Sequence, residues 1–250
     1  MDRQHLSILD RTAVREAVAG TDLVFNCAAY NAVDRAESEP DVAMAVNAQG
    51  PAILADACAE AGARLVHFST NFVFDGRAPE PYDEGSVPNP LGAYARSKLE
   101  GERAVLGRAA DALVIRSSGL FGAGGSAIKG GSFPARIAQR ARAGGPVRVV
   151  SDQRLNPTAT ADLAVAAVRL ASEAAAGVIH VVAGGCCTWH EFAVATLTEA
   201  GIDAQVEAIA SADLGTAAAR PANGCLVSQR TAPLRPWREA LADFIRSGAL

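Results

Sequence analysis

Short apolar runs alternate with helix-like stretches along nearly the whole chain, and this alternation constrains the fold more than any other feature. Strand-like runs fall at 23–26, 65–69, 112–116, 147–150 and 178–182. Helix-like segments lie at 12–19, 41–61, 92–106, 133–142, 160–174 and 188–200, and a short apolar helix follows near 237–245. Strands that are almost continuously apolar, each followed by a helix, predict an α/β fold with a parallel sheet covered on both faces. Thr160 and Thr188 read as helix N-caps, the second with Glu191 at capping-box spacing.

Composition narrows the class. Of the 250 residues, 50% are hydrophobic and 20% charged, an ordinary globular balance. The length suits one α/β unit with a smaller lobe, or two small domains. No apolar run approaches the roughly 20 residues that span a bilayer, and no secretory signal is expected at the start. Cys27 and Cys58 fall in apolar segments and read as small core residues. Cys186 and Cys187 are adjacent, but no second pair completes a metal-type spacing. Unpaired thiols without an export signal predict a reducing cytoplasm. A net charge of −4 offers no electrostatic basis for binding nucleic acid. No His/Asp/Glu grouping has convincing metal spacing. The glycine-rich stretch 122–131 lacks the lysine and hydroxyl of a phosphate loop and is expected to be a mobile loop over a substrate site.

The chemistry centres on Tyr94 and Lys98. They stand four residues apart in a helix-like run and so share a face. A cation fixed beside a phenol favours the phenolate, which predicts a tyrosine able to exchange a proton near neutral pH. Thr70 ends the apolar run 65–69, where its hydroxyl can share the hydrogen bond to a carbonyl oxygen. Tyr-x-x-x-Lys alone is common on solvated helix faces. Here it has ordered company: Asn26-Cys27-Ala28-Ala29-Tyr30, the run Ala32-Val33-Asp34-Arg35-Ala36-Glu37, Val46-Asn47, Phe68-Ser69-Thr70-Asn71-Phe72, Asp152-Gln153, Asn156-Pro157-Thr158, Thr188-Trp189-His190 and Ala219-Arg220-Pro221.

In this order the segments resemble the extended short-chain dehydrogenase/reductases and, within them, the dTDP-4-dehydrorhamnose reductases. The resemblance runs through nearly the whole chain. It implies a Rossmann-like doubly wound parallel sheet, NADPH or NADH as cofactor, and reduction of the C4 keto group of a dTDP-4-keto-6-deoxyhexose. It leaves a homodimer open. It makes Tyr94 the proton donor to the C4 oxygen, Lys98 the holder of the nicotinamide ribose, and Thr70 the third catalytic group. Ala28, Ala29 and Tyr30 match the loop that passes beneath the cofactor, and Phe68 matches a cofactor-contacting aromatic. Ser7 and Ile8 match the adenine-contacting pair, with Ser7 where the family usually has aspartate. On the substrate side, the resemblance adds Asn71, where the family mostly has aspartate, to Thr70. Arg220 matches a residue near the nucleotide diphosphate. Gly119 stands where the family has a tryptophan that packs on the sugar, and losing an indole predicts a large open space. Trp189 and His190, at a helix start, read as structural. The domain division implied is 1–118 with 145–182 for the cofactor, 119–144 with 183–236 for the substrate, and 237–250 as a C-terminal helix.

The resemblance also carries a mismatch. The family opens on a strand, glycine turn and helix that grip the pyrophosphate. No Gly-x-x-Gly-x-x-Gly stands among the early residues, and 1–10 resembles the region just after the family's second strand. The expectation is a displaced start or a shortened form lacking on the order of 30 residues, with a natural short paralogue as the alternative. A second function class follows: a non-catalytic sugar-nucleotide-binding or regulatory subunit, as in the regulatory subunit of methionine adenosyltransferase on the same fold branch. The intact Thr70, Tyr94 and Lys98 favour the enzyme, and the absent glycine turn favours the alternative.

Overall fold

The computed structural model describes residues 6–125 and 130–250. Four residues of the glycine-rich stretch, 126–129, and the first five of the chain lie outside the described residues, so the expectation for that loop is only partly addressed.

The centre is a four-stranded parallel sheet, ordered β1 (Leu23–Asn26), β2 (Arg64–Thr70), β3 (Leu113–Ser117) and β8 (Gly177–His180). The register sets Asn26 beside His67, and Thr70 beside Ser117. One face buries Leu65 and Val114 against α1 (Arg11–Val18), α3 (Gly50–Ala61) and α4 (Ala93–Leu106). The other buries Val66, Leu113, Ile115 and Ile179 against Leu163, Ala167 and Leu170 of α6 (Thr160–Ser172). Burial on both faces explains why these strands read as unbroken apolar runs.

The sheet holds four of the five expected strands. β5 (Val147–Val150) pairs instead with β11 (Val206–Ile209), in a separate parallel pair packed on α5 (Phe133–Arg142) and α7 (Trp189–Glu199). Further short pairs surround it: β4 (Leu120–Phe121) with β7 (Thr158–Ala159), β6 (Arg154–Leu155) with β10 (Cys187–Thr188), and β9 (Ala183–Gly184) with β12 (Leu234–Pro236). α8 (Trp237–Arg246) closes an aromatic core with Phe121 and Phe192.

The helix over 41–61 is one rod with a wide turn inside it. α2 (Pro40–Met44) passes through a π-helical turn at Ala45–Gln49 into α3. Thr188 caps α7 in a reciprocal box, its hydroxyl accepting from the Glu191 amide at 3.0 Å. Thr160 is not a cap: Ala159 occupies that position, and Thr160 is the first helical residue. Cys27 is exposed at the end of β1, against its reading as a core residue, whereas Cys58 is buried. Cys186 is not a free thiol: it forms a disulfide with Cys225. Neither partner could be found from spacing, because 39 residues separate them. Among the described residues, no helix is long and apolar enough to cross a membrane.

Candidate active site

The site forms where β2 ends and α4 begins. Thr70 is the last residue of β2 and caps the 3₁₀ turn Asn71–Val73, its hydroxyl accepting from the Phe72 amide at 3.2 Å. α4 starts at Gly92, which has no side chain to cap it. Glu37 serves from a distance, its carboxylate accepting from the Ala93 amide at 2.7 Å. That satisfies one orphan donor and sets a negative charge at the positive end of the helix. Tyr94 therefore sits in a fixed first turn. Its ring meets Phe72 edge-on, with centroids 5.8 Å apart.

Burial pushes the Tyr94 phenol above its ordinary range, and the Thr70 hydroxyl pulls it part of the way back. Lys98 is 3% exposed and donates to the Phe68 carbonyl at 2.6 Å. Burial brings its ammonium down to about 8, against an upward pull from Glu102. The sequence expectation is thus corrected in one respect. Lys98 is aimed at backbone, not at the phenol, and desolvation outweighs any pull on Tyr94, so the tyrosine is a neutral acid at neutral pH.

Asn47, in the π-helical turn, is a functional candidate that sequence reasoning quoted only as a motif. Its side chain accepts from the Tyr30 amide at 2.8 Å, donates to the Tyr30 carbonyl at 3.0 Å, and donates to Ser97 at 2.9 Å. Ser97 in turn donates to the Tyr94 carbonyl at 2.8 Å. One residue therefore joins the loop after β1 to the helix bearing Tyr94. The helices close tightly there: a Cβ on Gly101 would lie 2.1 Å from the Asn47 carbonyl oxygen, so only glycine fits.

The remaining expected residues divide. Ala28 and Ala29 are exposed at the end of β1, and Asn26 accepts from the Ala28 amide at 3.1 Å. The Tyr30 hydroxyl is occupied by Glu39 at 2.7 Å. Phe68 packs on the core beneath the sheet. Ser7 is exposed before α1, accepting from the Leu9 amide at 3.3 Å, and Ile8 packs against the cluster under α3. Asn71 is buried and donates to the Gly224 carbonyl at 2.9 Å. Arg220 pairs with Asp34 at 2.7 Å and donates to the Ala218 carbonyl.

Gly119 corrects a second expectation. Its φ is +57°, and a Cβ there would lie 2.5 Å from Leu155 and 2.9 Å from the Asn156 carbonyl oxygen. The position is filled, not open. It lines a narrow cleft of about 30 Å³ together with Asn71, Phe72, Arg154, Trp189 and Pro221. The indole facing this cleft is that of Trp189, which also packs on Phe133 with ring centroids 4.6 Å apart, in keeping with the structural role its place at a helix start implies. As it stands the cleft has room for about one water.

A parallel sheet with a tyrosine–lysine pair on the helix after its second strand is the arrangement of Rossmann-like reductases, and comparison with known proteins agrees. Residues 1–249 match the family model described as the RmlD substrate binding domain. A dTDP-4-dehydrorhamnose reductase of Mycobacterium tuberculosis is 42% identical, over 97% of this chain and 82% of the relative. The Streptomyces griseus protein of the same name is 41% identical, over 97% and 83%. The crystal structure of dTDP-4-dehydrorhamnose reductase from Bacillus anthracis, in complex with NADP, superposes with a TM-score of 0.94 at 32% identity, over 99% of this chain and 89% of that one. The chain belongs to the dTDP-4-dehydrorhamnose reductase family.

Proposed function

We propose that this protein reduces the C4 keto group of a dTDP-4-keto-6-deoxyhexose with NADPH or NADH, as a dTDP-4-dehydrorhamnose reductase. Relatives of that name align over nearly all of the chain. The observation that carries the chemistry is a protonated, half-buried Tyr94 facing the Thr70 hydroxyl, one helical turn from a buried Lys98. A carbonyl reduced to an alcohol needs a proton on its oxygen, and a neutral phenol can give one.

The residues present fit the nicotinamide half of the cofactor. Small, exposed Ala28 and Ala29 at the end of β1 would allow close approach of a flat ring, and Lys98 has donor capacity beyond its bond to Phe68. When bound, the cofactor supplies hydride to the carbonyl carbon. Tyr94 gives the proton to the carbonyl oxygen, and Thr70 shares the hydrogen bond to that oxygen. Asn71 and Trp189 line the cleft assigned to the sugar, and Arg220, which pairs with Asp34, is the cation assigned to its diphosphate. The four-stranded body takes the cofactor. The satellite pairs take the sugar, and β5 belongs with them because its partner is β11. The same reading places the reaction in the cytoplasm on the strength of the family alone, because the Cys186–Cys225 disulfide removes the argument from unpaired thiols.

The test is product identity. The protein incubated with NADPH and dTDP-4-dehydrorhamnose should yield dTDP-L-rhamnose by NMR. Binding of the dTDP-sugar without turnover would instead favour the non-catalytic alternative.

A further inference from the structure

Behind the reacting groups lies a buried polar chain that the mechanism above does not use. Glu102, one turn beyond Lys98 on α4, is 2% exposed and receives Arg116 of β3 in a bidentate pair, with Nε at 2.9 Å and Nη2 at 2.6 Å. The Ser69 hydroxyl donates to the same carboxylate. Arg116 lies over the Phe74 ring at 5.2 Å and reaches His180 at 3.4 Å. Ser69 stands between Phe68, whose carbonyl takes the Lys98 ammonium, and Thr70.

We propose that Glu102 is a positioning residue for the reductase site: through Ser69 it fixes the end of β2 that carries the Phe68 carbonyl and Thr70, and it is the counter-charge of the buried Lys98.

Among the described residues around Lys98, no other group does this. On β2, His67 is buried beside Lys98 and held neutral by its burial and by that ammonium. On β3, Arg116 is a second cation. On α4 itself, Tyr94 is a neutral phenol. Glu37 is engaged at the Ala93 amide, Asp41 of α2 is exposed, and Asp56 and Glu60 of α3 are paired with Arg108 and Arg15. Glu102 thus balances two buried cations with one carboxylate. Without it, Lys98 stands in a dry interior with no counter-charge among the described residues and sheds its proton. An uncharged amine holds ribose hydroxyls less strongly than an ammonium.

The experiment reads Lys98 directly. The chain contains two lysines, Lys98 and Lys129, so protein labelled with ¹³C at lysine Cε gives two signals, told apart by Lys129→Arg. In Glu102→Gln, which removes the carboxylate and leaves Arg116 in place, the Lys98 midpoint should fall by at least about one pH unit, a tenfold loss of proton affinity. Ser69→Ala, which keeps both charges, should leave the midpoint in place and lower kcat. An unchanged midpoint in folded Glu102→Gln overturns the proposal. Should that variant not fold, Glu102→Asp, which withdraws the carboxylate by one methylene, should lower the midpoint by a smaller amount, and an unmoved midpoint there overturns it equally. The inference rests on the reductase reading for the role of Lys98. The titration needs no turnover, so a protein that shows the midpoint shift but reduces no sugar would sink the reading and leave the charge pairing standing.

Discussion

The helix-and-strand frame around Tyr94 and the cleft around Trp189 are built in opposite ways. The frame is made of long elements with buried charge: Lys98, Glu102 and Arg116 are all 4% exposed or less. The cleft is walled by two-residue strands and loops, held by single side chains that reach across the chain. Asn71 holds Gly224, 153 residues away. Asn156 donates to the Gly185 carbonyl at 2.9 Å and accepts from the Leu226 amide at 2.8 Å. Asn223 is held near the Ala78 and Glu80 carbonyls, each at 2.9 Å. A rigid frame keeps the proton donor and its neighbours in register, which chemistry requires. The cleft is fastened by such hydrogen bonds around one covalent tie, the Cys186–Cys225 disulfide, so its hydrogen-bonded walls are the parts that can yield. The difference teaches that damage to the frame should cost stability and turnover together, and damage to the cleft should cost mainly substrate affinity.

The largest expected effect is on the frame. Arg116→Met strands the Glu102 carboxylate with Ser69 as its remaining bonded partner, and should cost about 3–5 kcal/mol in urea unfolding. A loss under about 1 kcal/mol would mean that the frame is no more rigid than the cleft. Lys98 comes next. Its folded pKa of about 8 lies below the usual 10.4 of an unfolded lysine. Between these values the unfolded chain binds more protons, so stability should rise with pH in that window, by on the order of 3 kcal/mol. Lys98→Met should abolish the rise, and an identical pH dependence in that variant would show Lys98 to be solvated. On the cleft side, Gly119→Trp should cost on the order of 1–3 kcal/mol, from a left-handed backbone and the clash with Leu155. It should not lower KM, and a tighter KM would show that the cleft widens more readily than its contacts allow. The smallest effect is Trp189→Ala, expected to raise KM for the dTDP-sugar by about tenfold with kcat near wild type, the mark of lost uniform binding. A fall in kcat as large as the rise in KM would erase the distinction between the two regions.

The frame was the legible part of the sequence, and the reason is locality. Tyr94 and Lys98 are four apart on one helix, and β1, β2 and β3 announce themselves as apolar runs because both sheet faces are covered. The π-helical turn at Ala45–Gln49 was not legible, because nothing in the apolar period of that helix marks it. β5 was misplaced because its period fits a central strand as well as an edge pair, and the identity of its partner is set by packing on α5 and α7. The cleft was hardest. Whether position 119 is open or filled depends on Leu155 and Asn156, and the role of Trp189 depends on where α7 begins in space. Glu102 had one available signal: it lies four residues beyond Lys98 on the same face, and Lys98 is one of two lysines among 23 basic residues. A chain that uses arginine nearly everywhere else keeps here a compact cation that can titrate.

The central claim is that Tyr94 gives the proton in a carbonyl reduction. Its most direct measurement is kcat for wild-type protein and Tyr94→Phe, with NADPH and dTDP-4-dehydrorhamnose at neutral pH. The expected result is a fall of at least about a hundredfold, with KM and Tm close to wild type because the ring keeps its edge contact with Phe72. Turnover at the wild-type rate in Tyr94→Phe would contradict it.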